Sequence, residues 1–326
     1  MKKTESIEDV MSYIDKALGY KTLLKPPKWW LDLKDKYANA VFGSQKYGIS
    51  SGKVYLIAGK ESSGKTAKAA RIAGLAQAKG AKVIWVDAEN SYDARHMRKQ
   101  GLHSGKPIRE NGRTVGYSKI FLISPKYGKF KLSKKEKQKI DLEEVEPAEY
   151  MLTRVELVMK ILRRKYGDEC KIVVVIDSTN ALSPKEEQEA GYVDANMRTK
   201  TSNAILLNTL TKRFAPLSVH TNAITILISQ LRTNPAKMFG NPDYIPGGGG
   251  LKFHPSSIVW MRRVSDGAIY EGGNKKNRQI GVKGLMTNTK NKVGGGSVER
   301  KRCGYIAYFY QPKWKFLSYD KIKKEK

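Results

Sequence analysis

Runs of consecutive apolar residues punctuate the chain at Val54–Ala58, Lys82–Asp87, Lys119–Ile123, Ile172–Ile176 and Ala223–Ile228. Apolar and polar residues do not alternate within them, so each is expected to be a strand buried on both faces. Helical spacing fills the intervals. From Thr66 to Lys79 the chain is Ala-rich, with Ile72, Ala73 and Ala76 on one face and Gly80 where a C-cap belongs. Ala148 to Lys165 and Thr201 to Phe214 carry further helical patterns. Strands alternating with helices imply βαβ units, hence an α/β fold whose mostly parallel, twisted sheet has helices on both faces.

The flanks of this pattern read differently. Between about residues 5 and 18, Ile7, Val10, Met11, Ile14 and Leu18 recur at helical intervals. An isolated helix of that length is marginal, so the stripe is expected to pack on something. Pro26-Pro27-Lys28-Trp29-Trp30 reads as a linker into a short helix near Leu31 to Phe42, and Gly48 to Gly52 breaks the chain before the first core strand. Two pieces interrupt the core. Ile108 to Val115 holds Asn111-Gly112 between alternating arms and predicts a hairpin. Lys126 to Ile140 contains seven lysines and one glutamate and reads as a solvated, exposed linker rather than a dedicated contact. The expected division is an N-terminal helical segment and linker at 1–49, a core at 50–310 with inserts near 104–118 and 126–147, and a basic tail at 311–326.

Composition narrows the partners. The 326 residues carry 61 Lys and Arg against 31 Asp and Glu, a formal charge of +30 that favours polyanions such as nucleic acid. Two cysteines, Cys170 and Cys303, make no disulfide framework and suit a reducing compartment. The sequence displays neither a signal peptide nor an apolar span of membrane length. A soluble cytoplasmic protein with no membrane role is the expectation.

Chemistry enters at Gly59-Lys60-Glu61-Ser62-Ser63-Gly64-Lys65-Thr66, which satisfies G-x-x-x-x-G-K-[ST] between an apolar strand and a helix. Such a loop wraps nucleoside triphosphate with its backbone N–H groups, brings Lys65 to the β- and γ-phosphates, and offers the Thr66 hydroxyl to Mg²⁺. In open parallel sheets ligands bind beyond the carboxyl ends of the strands. There the sequence puts Glu89, Asp177 with Ser178, and Ser229 with Gln230. Asp177 suits a carboxylate holding Mg²⁺ through water, Glu89 a general base or water-positioner, and Gln230 a sensor of the γ-phosphate. Residues 231–250 then read as a long loop with Arg232, Lys237, Met238, Phe239 and four glycines, Gly247 to Gly250. Its cations suit phosphates, and Met238 and Phe239 suit insertion between bases. An active-site lid is the other reading of that loop.

These blocks together resemble the RecA-type recombinases of bacteria and phages. Glu61-Ser62-Ser63 within the phosphate loop, Val86-Asp87-Ala88-Glu89, Ile176-Asp177-Ser178 with Ala181 to Lys185, Ile228 to Arg232, Met238-Phe239-Gly240-Asn241-Pro242 with Gly247 to Phe253, and Lys290-Asn291-Lys292 fall in the family's order. The resemblance covers roughly residues 50 to 300, outside the two inserts. It implies a RecA-like P-loop ATPase core using ATP and Mg²⁺. It also implies a DNA-dependent ATPase that forms a helical filament on single-stranded DNA and pairs it with duplex DNA, alongside single-strand-binding and loader proteins. In that setting Lys290 and Lys292 reach ATP on the neighbouring subunit, and the N-terminal stripe docks on a neighbouring core. Asp93 takes the position of the adenine contact. Residues 186–200, with Arg198 and Lys200, fall where the first DNA loop lies, while 231–250, including Gly247 and Gly248, form the second. The location implied is a bacterial cytoplasm, or that of a host if the gene is a phage's.

The sequence also departs from the family. His96 stands where a stacking tyrosine is usual, with Tyr92 as a substitute. The bacterial proteins continue into a C-terminal domain with an acidic tail, where this sequence has the basic Lys321 to Lys326. Two rival readings use the same core: a ring helicase or DNA motor, which ordinarily presents an arginine finger in place of Lys290-Asn291-Lys292, and a non-enzymatic, ATP-gated coat on single-stranded DNA.

Overall fold

The computed structural model describes residues 26–110, 113–117, 119–125, 127–128, 144–190, 197–294, 302–309 and 314–318, with Tyr13 and Lys16. In chain order these form β1 (Trp30–Leu31), α1 (Lys36–Phe42), β2 (Ile49–Ser50), β3 (Lys53–Gly59), α2 (Lys65–Gln77), β4 (Lys82–Asp87), α3 (Ala94–Lys99), β5 (Pro107–Glu110), β6 (Arg113–Tyr117) and β7 (Ile120–Ile123). Next come β8 (Tyr127–Gly128), β9 (Glu144–Val145), α4 (Ala148–Tyr166), β10 (Ile172–Asp177), α5 (Lys185–Ala190), α6 (Met197–Thr221), β11 (Ala223–Gln230), β12 (Arg232–Thr233) and β13 (Asp243–Tyr244). The order ends with α7 (Gly250–Phe253), β14 (Ser257–Tyr270), β15 (Gln279–Asn291), β16 (Arg302–Tyr308) and β17 (Trp314–Ser318).

The main sheet runs β17-β16-β15-β14-β3-β11-β10-β4-β7-β6-β5. From β14 to β7 every neighbouring pair is parallel, as the apolar runs require. Alternate residues of the same strand feed opposite cores. Tyr55, Ile57, Trp85, Val173, Val175 and Ile226 face one side, where the small residues Ala69, Ala73 and Ala76 of α2 pack against the sheet. Leu56, Ile84, Val174 and Ile176 face the other, beneath Val155 and Met159 of α4 and Leu210 and Phe214 of α6. Each fully buried aliphatic side chain contributes roughly 1.5–3 kcal/mol, so these strands form a closely packed platform for whatever their ends carry.

Several expectations need correction. Helix α1 begins at Lys36, not near Leu31, because Asp35 accepts from the Tyr37 and Ala38 N–H groups and fixes the start. Trp30–Leu31 instead pairs with Ile49–Ser50. The helix expected over 201–214 runs from Met197 to Thr221 and includes Pro216. Residues 186–200 are not a loop throughout: α5 occupies 185–190 and α6 starts at Met197. The hairpin at 108–115 is present as β5–β6 and adds an antiparallel edge to the sheet. Four strands at the other edge had no counterpart among the apolar runs. Of these, β14 joins the parallel set, and β15 to β17 continue as an antiparallel meander. Residues 314–318, expected in the basic tail, are its edge strand. The stripe from Ile7 to Leu18, nearly all of Lys126 to Ile140, and Lys321 to Lys326 lie outside the described residues. Among the described residues, no helix is long and apolar enough to cross a membrane.

Candidate nucleotide site and its attached hairpin

Strand β3 ends at Gly59 and α2 starts at Lys65, so the phosphate-loop motif spans the strand-to-helix turn. Two glycines are needed there. Gly64 has φ +82°, and a Cβ on Gly59 would lie 2.5 Å from both Met261 O and Ser63 Oγ. The loop is braced from within: Ser63 Oγ donates to Lys60 O at 2.7 Å, and Lys65 Nζ donates to the same carbonyl at 2.8 Å. Tyr305 of β16 donates its hydroxyl to Ser63 O at 2.6 Å. The thirteen-residue α2 directs its N-terminal N–H groups at this loop, an arrangement suited to anions.

The ends of β4, β10 and β11 gather beside the loop. Asp177 accepts a hydrogen bond from Thr66, and burial pushes its carboxyl up to about 7 against that bond, with Glu89 and Asp87 adding to the rise and Lys65 opposing it. Burial holds the Lys65 ammonium below its usual value, while Asp177, Glu89 and Glu61 pull it back. Thr66 and Asp177 thus offer a hydroxyl and a buried carboxylate crowded by like charge. Such hard oxygen donors suit a Mg²⁺ ion that keeps waters and shares phosphate oxygens. Glu89 Oε1 accepts from Ser178 Oγ and, at 3.3 Å, from Gln230 Nε2, so two donors orient one carboxylate. The peptide between Asp177 and Ser178 is cis.

Asn180 was not singled out from sequence, yet it organises the end of β11. Its Oδ1 accepts from Gln230 N at 2.7 Å and Ser229 Oγ at 3.2 Å. It sits in a single 3₁₀ turn after Asp177, where a lone Asn carries no periodic signal. Asp87 is likewise occupied, accepting from the Ser91 and Tyr92 N–H groups.

Beside the loop opens a cleft of about 330 Å³ lined by Gly64, Thr66, His96, Gln100, Arg263 and Tyr308, among others. His96 thus lines the cleft beside the phosphate loop, where burial lowers its basicity. Tyr92, its suggested substitute, packs edge-on against Trp85 instead. Tyr308 and Phe309 supply the cleft's aromatic surface. They sit beyond the apolar runs, in the meander that periodicity missed. Asp93 is not among the cleft's lining residues. It caps α3 by accepting from Arg95 N, and that bond holds its carboxyl below the usual range.

Residues 231–250 are more ordered than a loop. Thr233 pairs with Asp243 and Arg232 with Tyr244, making a short hairpin closed by Asn234 N to Pro242 O at 2.9 Å. Its tip carries Lys237, with Met238 and Phe239 exposed by 88% and 86%. Arg232 and Gly247 line a polar cleft with Asn180, and Gly248 follows at positive φ. Arg198 and Lys200 fall in the first turn of α6, apart in sequence from this hairpin. Lys290 and Lys292 line another cleft, of about 570 Å³, with Phe253 and Trp260; none of its lining residues is shared with the cleft beside the phosphate loop. Lys290 Nζ donates to Lys252 O and Phe253 O, and burial with nearby Lys292 lowers its basicity.

Residues 155–298 match the family model described as the RecA N-terminal domain. The Protein RecA of Aquifex pyrophilus is 28% identical over 236 residues, 72% of this chain and 55% of that protein. That of Rickettsia massiliae is 29% identical over 246 residues, covering 76% and 57%. That of Gluconobacter oxydans is 26% identical over 302 residues, covering 90% and 72%. The chain thus spans little more than half the length of the first two.

Proposed function

We propose that this chain, which is similar to the RecA proteins over most of its length, is an ATP-dependent, DNA-binding recombinase of the cytoplasm. It assembles as a helical filament on single-stranded DNA and pairs it with homologous duplex. The observation that carries this reading is Gln230: its side chain bonds Glu89, and its backbone runs into the hairpin that exposes Met238 and Phe239. One residue therefore joins a hydrolytic centre to a surface suited to base stacking.

In this reading Gly59 to Thr66 cradle the triphosphate, Lys65 neutralises its β- and γ-oxygens, and Thr66 with Asp177 hold Mg²⁺. When bound, the metal offsets charge developing on the transferred phosphoryl group. Glu89, oriented by Ser178 and Gln230, takes the proton of the attacking water. Lys290 and Lys292 belong to a different cleft from the phosphate loop, which suits action on a neighbouring subunit's nucleotide. Arg198, Lys200, Arg232 and Lys237 neutralise DNA phosphates. No observation favours the ring motor or the inert coat.

Negative-stain electron microscopy with single-stranded DNA and a slowly hydrolysed ATP analogue tests the assignment. Continuous helical filaments that vanish without nucleotide support it; closed rings transfer the same ATP site to a motor.

A further inference from the structure

Lys60 occupies the second position of the phosphate loop and faces two ways. Its carbonyl belongs to the inside of the loop, where it accepts from Lys65 Nζ and Ser63 Oγ. Its ammonium lies outside, 3.0 Å from Asp243 Oδ1 at the base of the hairpin. Asp243 is well held: its side chain is 16% exposed, and Thr233 Oγ1 donates to it across the hairpin at 2.8 Å. Burial alone would raise the Asp243 carboxyl, but hydrogen bonds from Thr233 and Lys60 and the charges of Lys60 and Arg262 leave it lowered. A backbone bond from Leu231 N to Gly59 O, 3.1 Å, adds a fixed hinge beside the ion pair.

The geometry points to a latch: we propose that the Lys60–Asp243 ion pair holds the base of the hairpin to the phosphate loop, and that triphosphate in the loop competes for Lys60 and frees the hairpin for single-stranded DNA. This rests on the nucleotide and DNA reading above. Half of the pair is exposed, and such ion pairs are weak and screened. A triphosphate carries more charge than one carboxylate, so it wins the contest for the ammonium. Gln230 reports on Glu89 along the strand, whereas the latch acts from the loop itself. Nucleotide state thus reaches the hairpin by two routes.

The test is fluorescence anisotropy with a labelled single-stranded oligonucleotide, with and without a slowly hydrolysed ATP analogue and Mg²⁺. It compares wild type, Lys60→Met, Asp243→Asn and the double variant. The latch predicts that each single variant binds the oligonucleotide about fivefold more tightly than wild type when nucleotide is omitted. The double variant gains no more than either single one. Lys60→Met decides the matter, because simple charge loss would weaken binding to a polyanion. Analogue affinity provides a second readout and rises in Asp243→Asn, where Lys60 no longer has a competing partner. Weaker DNA binding by Lys60→Met, or unchanged nucleotide dependence in both single variants, overturns the latch alone. A wild-type chain whose DNA affinity ignores nucleotide overturns the latch and the reading beneath it.

Discussion

The ends of the central strands and the hairpin at 232–244 lie side by side but are built in opposite ways. Asp177, Ser178 and Ser229 are buried at the ends of strands packed on both faces, and each is bonded to a neighbouring segment, through Thr66, Glu89 and Asn180 respectively. The hairpin has a two-rung ladder, an exposed apolar tip, and attachments through Gln230, Leu231 and the Lys60–Asp243 pair. Positioning a phosphoryl group demands side chains fixed by a rigid platform, whereas meeting a long, variable polymer favours an element with little burial to lose. The junction between them is narrow, and Gln230 stands in it.

The largest separation of the two regions comes from Glu89→Gln. Hydrolysis is expected to fall by about 10²- to 10⁴-fold in a phosphate-release assay, while nucleotide-dependent binding to single-stranded DNA persists. If filament formation failed as well, the platform and the hairpin would not be separable. Lys65→Ala acts one step earlier. Loss of a charged hydrogen-bonding partner should weaken nucleotide binding by about 10- to 100-fold in calorimetry, and ATP-dependent assembly should go with it.

The hairpin is probed by replacing Met238 and Phe239 together with Ala. Single-stranded DNA affinity should drop by about 30-fold or more, since two stacking side chains are lost and each stacked base is worth roughly 1–3 kcal/mol. Thermal stability should stay within about 0.5 kcal/mol, because neither side chain packs in a core. A large loss of stability would show that the hairpin belongs to the platform after all.

The platform has a pH signature of its own. Lys68 of α2 is fully buried beneath Phe42, Trp314 and Phe316, whose ring centres lie 4.3–5.2 Å from its ammonium. Burial pushes it down to about 7, with Arg71 lowering it further and Cys303 and Asp35 opposing. Because the folded value lies below the unfolded 10.5, the unfolded state holds the extra proton between these limits. Stability should therefore rise with pH from about 7 toward 10.5, by at most about 1.4 kcal/mol per unit, and be insensitive to this group below 7. Thermal melts of Lys68→Met should lack that slope.

The sequence disclosed the platform more fully than the surface around it. Lys82–Asp87 was legible to the residue, and Ile172–Asp177 nearly so, because two-sided burial leaves an unbroken apolar run. The α/β fold and its parallel centre follow from those runs. Strand β14 was missed since Arg262, Arg263 and Asp266 interrupt it, and β15 since Lys283, Asn288 and Lys290 do. With the rest of that meander went Tyr308 and Phe309, the aromatic lining of the cleft beside the phosphate loop. The phosphate loop and the acids at strand ends were visible because their chemistry is tied to short spacing. Asn180 and the Lys60–Asp243 pair were not, since each joins segments distant in sequence through a single side chain.

The central claim is that Gln230 carries information between the two regions. ATP hydrolysis by wild type and by Gln230→Ala, each with and without single-stranded DNA, tests it most directly. DNA should strongly stimulate the wild type, whereas the variant should still bind nucleotide but gain no hydrolysis from DNA. Undiminished stimulation of Gln230→Ala would contradict it.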